Sequence, residues 1–312
     1  MSAESDLLRW RRTRLLDLGR ARVEPRITPN LGGLENLGVQ VLWFELMPLG
    51  RVSLPPFIGS TLRGAIGHAL RAHALAAYDA TFEGCPAYAL SPPPLRTAPL
   101  RPGETLRFGV TLFGEGALHA QAWIDAVAAA ADGGLGVERH RFRLHGVDAA
   151  CSARSGMPGA VRLLGVSGGP APQQVRMHAV TPLWLVSGRA KALVPDPDAQ
   201  RVLRGVLRRA AEVVPRHCGG AMVDVARWEA AIGRVHGQGR WAVWEAQRWS
   251  NRQQAKTPMA GVLGCLDLAG DVEAVWPLLQ AAELLHVGRH TTFGLGQLVV
   301  EARGPCVRSR AG

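Results

Sequence analysis

The N-terminal half of the chain alternates short runs of β-type side chains with longer segments of helical periodicity. Residues 39–46 are rich in β-branched, aromatic and leucine side chains, which predicts a strand. A helix is predicted over about 60–78, because apolar side chains recur on one face at about 100° per residue. The other elements predicted in this half are a short strand near Tyr88, a strand at 105–113, a helix at 117–131 and a strand at 139–147.

The C-terminal half repeats this order. A strand is predicted at 175–186, and Pro182 within it indicates an edge position or a bulge. The elements predicted after it are helices at 198–214 and 222–234, strands at 240–248 and 258–269, a helix at 271–286 and a closing strand at 295–302.

Each half therefore approaches the β-α-β-β-α-β order of a ferredoxin-like domain. We predict an α+β protein with two tandem ferredoxin-like (RRM-like) domains and antiparallel sheets. The predicted organisation is a basic N-terminal arm at 1–38, a first domain at 39–154, a Gly/Pro/Ser-rich linker at 155–172 and a second domain at 173–303.

Composition narrows the class of protein. With 312 residues, 47% of them apolar, the chain can bury a sizeable core and is not mainly disordered. It has no run of roughly 18 uncharged apolar residues, so no membrane span is predicted. The five cysteines are scattered and form no CxxC pair, which argues against a structural zinc site and a disulfide framework. We expect a cytoplasmic protein.

The charge points to a polyanionic partner. Lysine and arginine total 36 against 25 acidic residues, which gives a formal net charge of +11. Such an excess attracts nucleic acid or an anionic membrane surface. GC-rich codon usage is an alternative explanation for the preference for arginine over lysine, but it does not explain the excess over the acids.

The first candidate for chemistry is the predicted helix at 60–78. His68 and Arg71 fall on its polar face together with Gly64 and Gly67, whereas His73 falls on the apolar face, where a packed core histidine is expected. An imidazole with a pKa near ~6.5 can accept a proton at cytosolic pH, and a guanidinium can stabilise a phosphoryl transition state. A solvated surface histidine is the alternative for His68.

The second candidate is the glycine-rich stretch 288–296. Gly288, Gly294 and Gly296 would let backbone N–H groups approach an anion, and Arg289 and His290 add side-chain donors. The GK[ST] ending of a P-loop is absent, and the glycines precede a strand rather than a helix. A structural turn is the alternative.

The third candidate is the segment 240–256, which interleaves arginine with tryptophan. This pattern suits single-stranded RNA, where bases stack on rings and cations contact phosphates. The cations of interest are Arg248, Arg252 and Lys256. In the alternative interpretation the tryptophans serve packing, and we expect Trp241 or Trp244 to face the core.

Other chemistries find little support. The HExxH, GxSxG, P-loop and kinase motifs are absent. The acidic residues are not clustered as a Mg²⁺ site would favour. We therefore expect no cofactor, and a metal-free mechanism if the protein acts on nucleic acid.

Taken together, these stretches resemble the CRISPR precursor-RNA processing endoribonucleases of the RAMP superfamily. The resemblance is carried by Gly59-Ser-Thr-Leu-Arg-Gly-Ala-Ile-Gly-His-Ala-Leu-Arg71, Cys85-Pro86, Gly103-Glu-Thr-Leu-Arg-Phe-Gly-Val-Thr-Leu-Phe-Gly114, Thr181-Pro182-Leu183, Arg248-Trp-Ser-Asn-Arg-Gln253 and Leu285-His-Val-Gly-Arg-His-Thr-Thr-Phe-Gly-Leu-Gly296. The last motif is the most specific, and the arm at 1–38 has no counterpart.

The resemblance implies cleavage of CRISPR transcripts within their repeats, without metal, by attack of an RNA 2′-hydroxyl on the adjacent phosphorus. It implies His68 as the general base, Arg71 as the stabiliser of the phosphorane and Tyr78 as a candidate acid. The RNA contacts it implies are Arg63, Arg248, Arg252, Lys256, Gly288, Arg289, His290, Gly294 and Gly296.

Three interpretations remain open at this stage. The first is a CRISPR endoribonuclease whose partners are repeat RNA and other CRISPR effector subunits. The second is a non-catalytic RNA-binding subunit of a CRISPR ribonucleoprotein, with the same fold and charge. The third is a basic α+β enzyme that acts on a small anionic substrate.

Overall fold

The computed structural model describes residues 30–150, 161–162, 172, 174–250 and 255–303. In its N-terminal part, four strands form an antiparallel sheet in the order β2-β3-β1-β4, and a short fifth strand pairs with the start of β1. The elements are β1 (Gly38–Pro48), α1 (Gly59–His73), α2 (Leu75–Phe82), β2 (Tyr88–Ser91), β3 (Leu106–Phe113), α3 (Ala120–Gly133), β4 (Phe142–Ala150) and β5 (Val161–Arg162).

The C-terminal part builds a second antiparallel sheet in the order β10-β11-β6-β12. Its elements are β6 (Gln174–Leu183), a small hairpin of β7 (Val186–Ser187) and β8 (Ala192–Leu193), α4 (Ala199–His217), α5 (Val225–Ile232), β9 (Val235–His236), β10 (Gly239–Ser250), β11 (Ala255–Gly270), α6 (Val272–Leu285) and β12 (Leu298–Arg303). Three short 3₁₀ turns lie at Leu34–Asn36, Gly114–His119 and Thr291–Phe293.

In each sheet the strand that comes first in sequence lies in the centre. In the N-terminal sheet β1 lies between β3 and β4, and in the C-terminal sheet β6 lies between β11 and β12. This is the strand order of a ferredoxin-like domain, so the predicted fold class is confirmed. Pro182 lies where the pairing of β6 with β11 shifts register, so the predicted bulge is present, but β6 is central rather than an edge strand.

The three α-helices of the C-terminal part begin at aspartate caps. The carboxylates of Asp198, Asp224 and Asp271 accept hydrogen bonds from backbone N–H groups three residues further on, at 2.7, 3.0 and 3.2 Å. An aspartate at this position satisfies an N–H group that has no partner within the helix. These caps fix where α4, α5 and α6 start.

Strand β1 is buried on both faces, so its side chains belong to the cores of both halves of the protein. Leu42, Phe44 and Leu46 pack with α1 and α3, whereas the alternate residues Val41 and Trp43 join the core of the C-terminal helices. Because successive strand side chains point to opposite faces, one strand can serve two cores. The sheet face that an RRM would offer to RNA is thus covered by protein in the N-terminal part.

Two boundaries differ from the predicted organisation. Leu34 and Leu37, assigned to the arm, are buried in the core of the C-terminal helices. Val161 and Arg162, assigned to the linker, pair as β5 with the start of β1. The rest of the arm and most of the linker lie outside the described residues. Within the part of the chain that the structure describes, no helix combines the length and apolar character needed to cross a membrane.

Candidate nucleic-acid interface and active site

Helices α1 and α2 pack through a stripe of residues spaced four apart. Arg63, Gly67 and Arg71 on α1 face Tyr78 and Phe82 on α2. A Cβ atom on Gly67 would lie 2.7 Å from the Phe82 ring, so glycine is what lets the ring approach the helix. The Tyr78 and Phe82 rings stack on each other with centroids 5.1 Å apart.

The two histidines of α1 both face solvent. His68 is exposed, as predicted, and lies one turn before the exposed Arg71, so the two side chains share a face of the helix. The prediction that His73 packs in the core is wrong, since its side chain is exposed. The helix ends at His73, Ala74 leaves helical geometry with φ −149°, and α2 then covers the apolar face in its place.

The glycine-rich loop is held by its own backbone hydrogen bonds. Gly288 and Gly294 have φ 90° and Gly296 has φ 72°, a conformation that favours glycine. The Arg289 amide donates to the Trp184 carbonyl and the Gly296 amide to the Pro182 carbonyl, each at 2.9 Å. The amides of residues 293, 294 and 295 also donate to carbonyls inside the loop. Five of the nine N–H groups of residues 288–296 therefore already have partners within the protein, and the exposed Arg289 side chain adds donors at the surface.

The same loop packs tightly against the N-terminal part. A Cβ atom on Gly59, the first residue of α1, would lie 1.7 Å from the Phe293 carbonyl oxygen. A Cβ atom on Gly294 would lie 2.2 Å from the Pro92 ring. These two glycines allow α1, the end of β2 and the loop to meet without intervening space.

A buried polar contact supports this junction. His286, which precedes the loop, has φ 54° and is fully buried, with its Nε2 atom 3.3 Å from the Ser91 hydroxyl at the end of β2. Ser91 is also buried. This contact holds the beginning of the glycine-rich loop against the N-terminal sheet.

The two parts are joined by a continuous series of cations and rings, which we call the cation–aromatic stack. Consecutive members lie 4.9–5.8 Å apart, within the range of favourable ring–ring and cation–ring contacts. In order, its members are Arg289, Trp184, His290, Phe293, Arg63, Phe82, Tyr78 and Arg71. The stack brings five of the predicted site residues into one contiguous structure.

Arg63 occupies the middle of the stack and is half-buried. Its guanidinium lies over Phe82 at 5.3 Å and over Phe293 at 5.0 Å. The buried Tyr88 hydroxyl lies beside it. Burial raises the pKa of Tyr88 well above its usual value, and the charge of Arg63 only partly opposes that rise. Tyr88 therefore stays neutral.

The β10–β11 hairpin adds a further surface. Trp244 packs edge-on against Phe57 with ring centroids 5.6 Å apart, and the Trp241 indole donates to the Pro197 carbonyl at 3.0 Å. Both tryptophans are partly buried, which agrees with the packing interpretation. Lys256 is exposed near the start of β11. The Arg248 side chain and the whole of Arg252 lie outside the described residues.

A second polar cluster lies where the end of α4 meets the N-terminal part. A groove of about 440 Å³ is lined there by Cys85, Glu115, His119, Arg216 and His217, among others. Burial raises the pKa of the Cys85 thiol and, with the neighbouring Arg209 and Arg216 charges, lowers the pKa of His217. A thiol with a raised pKa is a weak nucleophile.

A larger groove of about 520 Å³ lies elsewhere on the N-terminal part. It is lined by residues between 52 and 58 and between 93 and 107, and by none of the predicted site residues. Among the described residues, no group of three or more His, Cys, Asp or Glu side chains is arranged to hold a metal ion.

Comparisons with known proteins show which family and which folds the chain is similar to. Residues 177–298, which include Trp184, the β10–β11 hairpin and the glycine-rich loop, match the family model of the CRISPR-associated endoribonuclease Cas6. The resemblance to CRISPR RNA-processing proteins is confirmed. A further family model, described as an N-terminal domain, matches residues 37–89 and 86–162. No curated protein shows significant sequence similarity to the chain.

Solved Cas6 structures share the fold of most of the chain. A Cas6 product complex is similar with a TM-score of 0.59 and 18% identity, over 84% of this chain and 100% of that one. Thermus thermophilus Cas6 gives 0.56 and 16% over 85% and 99%. A Cas6-related protein from Pyrococcus furiosus gives 0.53 and 11% over 85% and 98%. At these identities the likeness is one of fold.

Sequence reasoning missed three members of the stack. Trp184, Phe293 and Phe82 are apolar rings that look like core residues when each is read in its own segment. Trp184 directly follows the Thr181-Pro182-Leu183 motif, and Phe293 lies within the Cas6-like loop. Their roles depend on partners far away in the sequence, so no local pattern marks them.

Proposed function

We propose that the protein is a metal-independent endoribonuclease that cleaves CRISPR precursor transcripts within their repeats to give mature guide RNA. The observation that carries this proposal is the cation–aromatic stack. It links the loop with Arg289 and His290 to the helices with His68, Arg71 and Tyr78. Strand binding and proton transfer would then occur on one continuous surface.

The exposed cations would hold the RNA backbone. Arg289, at the outer end of the stack, and Lys256, on the hairpin, would contact phosphates, and His290 would add a donor at the loop. Gly288 is exposed beside Arg289, and a Cβ atom on it would lie 2.5 Å from the Trp184 carbonyl oxygen, so it shapes the loop as the buried Gly294 and Gly296 do. The same backbone role is proposed for Arg248 and Arg252.

The reaction would be a transesterification within the RNA strand, in which the ester bond of the phosphorus to O5′ is exchanged for one to O2′. His68 would take the proton of the 2′-hydroxyl as that oxygen attacks the adjacent phosphorus. Arg71 would stabilise the extra negative charge of the phosphorane. The P–O5′ bond then breaks, an acid such as Tyr78 protonates the leaving oxygen, and the products carry a 2′,3′-cyclic phosphate and a 5′-hydroxyl.

Two kinds of relative support the proposed partners. One similar structure is titled as a Cas6 product complex, and another as a Cas6-RT-Cas1–Cas2 complex, with a TM-score of 0.56 over 86% of this chain and 46% of that one. We propose CRISPR repeat RNA as the substrate and other CRISPR proteins as assembly partners.

One observation favours a second candidate function. His68 has no hydrogen-bond partner among the described residues, whereas a catalytic base is usually oriented by a further group. The alternative is a non-catalytic RNA-binding subunit of a CRISPR ribonucleoprotein. One similar structure is titled as a RAMP protein binding different RNA substrates, with a TM-score of 0.51.

Incubation with the cognate repeat RNA in EDTA separates the two candidates. The endoribonuclease should cleave the repeat in EDTA and should leave intact a repeat with a single 2′-deoxy nucleotide at the cut site. Tight binding of the all-ribose repeat without cleavage would establish the alternative. Cleavage of the 2′-deoxy repeat would contradict the proposed attack.

A further inference from the structure

Arg63 joins the two halves of the cation–aromatic stack. Trp184, His290 and Phe293 belong to the C-terminal part, and Phe82 and Tyr78 to the N-terminal part. The Arg63 guanidinium lies between Phe293 and Phe82, at 5.0 and 5.3 Å from the two ring centroids. It therefore connects the glycine-rich loop to the pair of helices that carries His68.

The surroundings of Arg63 differ from those expected of a phosphate ligand. Its side chain is half-buried, and its Nε atom is inaccessible to solvent, so that atom cannot contact a phosphate at the surface. A planar guanidinium can lie flat against two ring faces at once, which the compact ammonium group of lysine cannot do. The site thus uses the shape of arginine as well as its charge.

The junction around Arg63 is also closely packed. The Phe293 carbonyl leaves no room for a Cβ on Gly59, and Pro92 leaves none on Gly294. Direct contact therefore sets the separation from the loop at the first residue of α1, and one turn further along the helix Arg63 spans it to Phe293. Catalysis is sensitive to such a distance, because misplacement of a reacting group by about 1 Å can cost roughly 10²-fold in rate.

We propose that Arg63 is a positioning residue that fixes α1 relative to the glycine-rich loop, so that an RNA strand held by the loop presents its cleavage site to His68. This inference rests on the proposed function. It assigns Arg63 a role different from the direct RNA contact that the family resemblance implies. Arg63 acts through helix α1 and does not itself touch the strand.

The test compares Arg63→Lys with the wild-type protein. Lysine keeps the positive charge but cannot bridge two rings, so the single-turnover rate constant for repeat cleavage should fall about tenfold or more. The dissociation constant for an uncleavable 2′-deoxy repeat should change less than about threefold, with an unchanged salt dependence. Arg204→Lys is the matched control, because it alters an exposed arginine of α4 that pairs with Glu229 of α5, and it should leave both quantities unchanged.

Loss of folding is distinguished by the dependence of the rate constant on protein concentration. Partial unfolding can be offset by more protein and leaves the rate constant at saturation unchanged, whereas misplacement lowers the rate constant at every protein concentration. Phe293→Leu provides a second variant, because it removes the ring on the loop side of Arg63 while it keeps an apolar side chain. It should show the same loss of rate with retained binding.

Three results would overturn the inference. Cleavage at the wild-type rate by both Arg63→Lys and Phe293→Leu would contradict the role of Arg63 but not the proposed endoribonuclease function. Weaker binding of Arg63→Lys with a reduced salt dependence would instead make Arg63 an RNA ligand. Failure of the wild-type protein to cleave would remove the proposed function and, with it, the role of Arg63.

Discussion

His68 has the exposure that the proposed proton transfer requires. Its side chain is exposed on α1, one turn before Arg71, and Gly64 leaves open space beside the helix. The exposure of His68 follows from the helical periodicity of its own segment. The exposure of His73 does not, because it depends on where α1 ends and α2 begins.

His68→Ala should slow single-turnover cleavage by roughly 10²-fold or more and leave RNA affinity unchanged, since general-base catalysis contributes about that much. His73→Ala is a matched control, because it removes another exposed histidine from the same helix. Rate constants measured with excess protein check the prediction. An unchanged rate for His68→Ala would move the base elsewhere, and His290 would be tested next.

His217 should make the stability of the protein depend on pH. Its pKa in the folded state is lowered by burial and by the charges of Arg209 and Arg216. The unfolded chain then binds more protons than the folded one near and below the ordinary histidine pKa of about 6.5. The contribution of His217 to stability is therefore complete at neutral pH and is lost as the pH falls below that value.

Urea unfolding at pH 7.5 and 5.5 measures this effect. The difference between the two midpoints should be smaller for His217→Gln than for the wild-type protein. His73→Gln, which removes an exposed histidine, should keep the wild-type difference. Equal differences in all three proteins would show that His217 does not titrate differently on folding.

At the scale of elements, the order of strands and helices was predictable and their junctions were not. Periodicity located most elements to within a few residues, since burial of one face determines each pattern. The helix predicted at 60–78 is instead two helices that fold back on each other at Ala74. That break is stabilised by contacts of Phe82 and Tyr78 with the opposite helix, which a local pattern cannot show.

Two glycines of α1 should respond in opposite ways to alanine. Gly64→Ala adds a methyl group in open space, so it should raise the free energy of unfolding by up to about 1 kcal/mol through helix propensity. Gly67→Ala places its methyl 2.7 Å from Phe82, whose ring is held among Tyr78, Tyr88 and Trp123 and cannot easily move. It should lower that free energy by about 1–3 kcal/mol, the usual cost of overpacking.

Chemical denaturation of the two variants provides the measurement. A matched pair on one helix cancels any general effect of glycine replacement. If Gly67→Ala were as stable as Gly64→Ala, the close packing of α1 against α2 would be contradicted.

At the scale of the whole molecule, the candidate site depends on the joining of the two domains. The Cas6-like match covers the loop and Trp184, whereas His68, Arg71 and Tyr78 lie in the other domain. Each group of residues was found from its own motif. Their connection through Arg63 was not, because it arises from the packing of segments that are distant in sequence.

The net charge of +11 also acts at the scale of the whole molecule. Its contribution to RNA affinity can be separated from the contribution of single phosphate contacts. A phosphate contact releases counterions, so the logarithm of RNA affinity should fall linearly with the logarithm of salt concentration. Arg289→Ala should reduce the magnitude of that slope by about 0.7–0.9, the value for one lost phosphate contact.

Arg204→Ala changes the net charge of the protein equally, but Arg204 is paired with Glu229 at 2.8 Å and lies outside the stack. It should leave the slope unchanged, because the general field of the protein is screened within about 10 Å at 0.1 M salt. If the salt dependence of RNA affinity had the same slope in both variants, Arg289 would contribute only through the net charge of the protein. If the RNA affinity of the wild-type protein did not depend on salt concentration, a polyanionic ligand would be excluded and a small anionic substrate favoured.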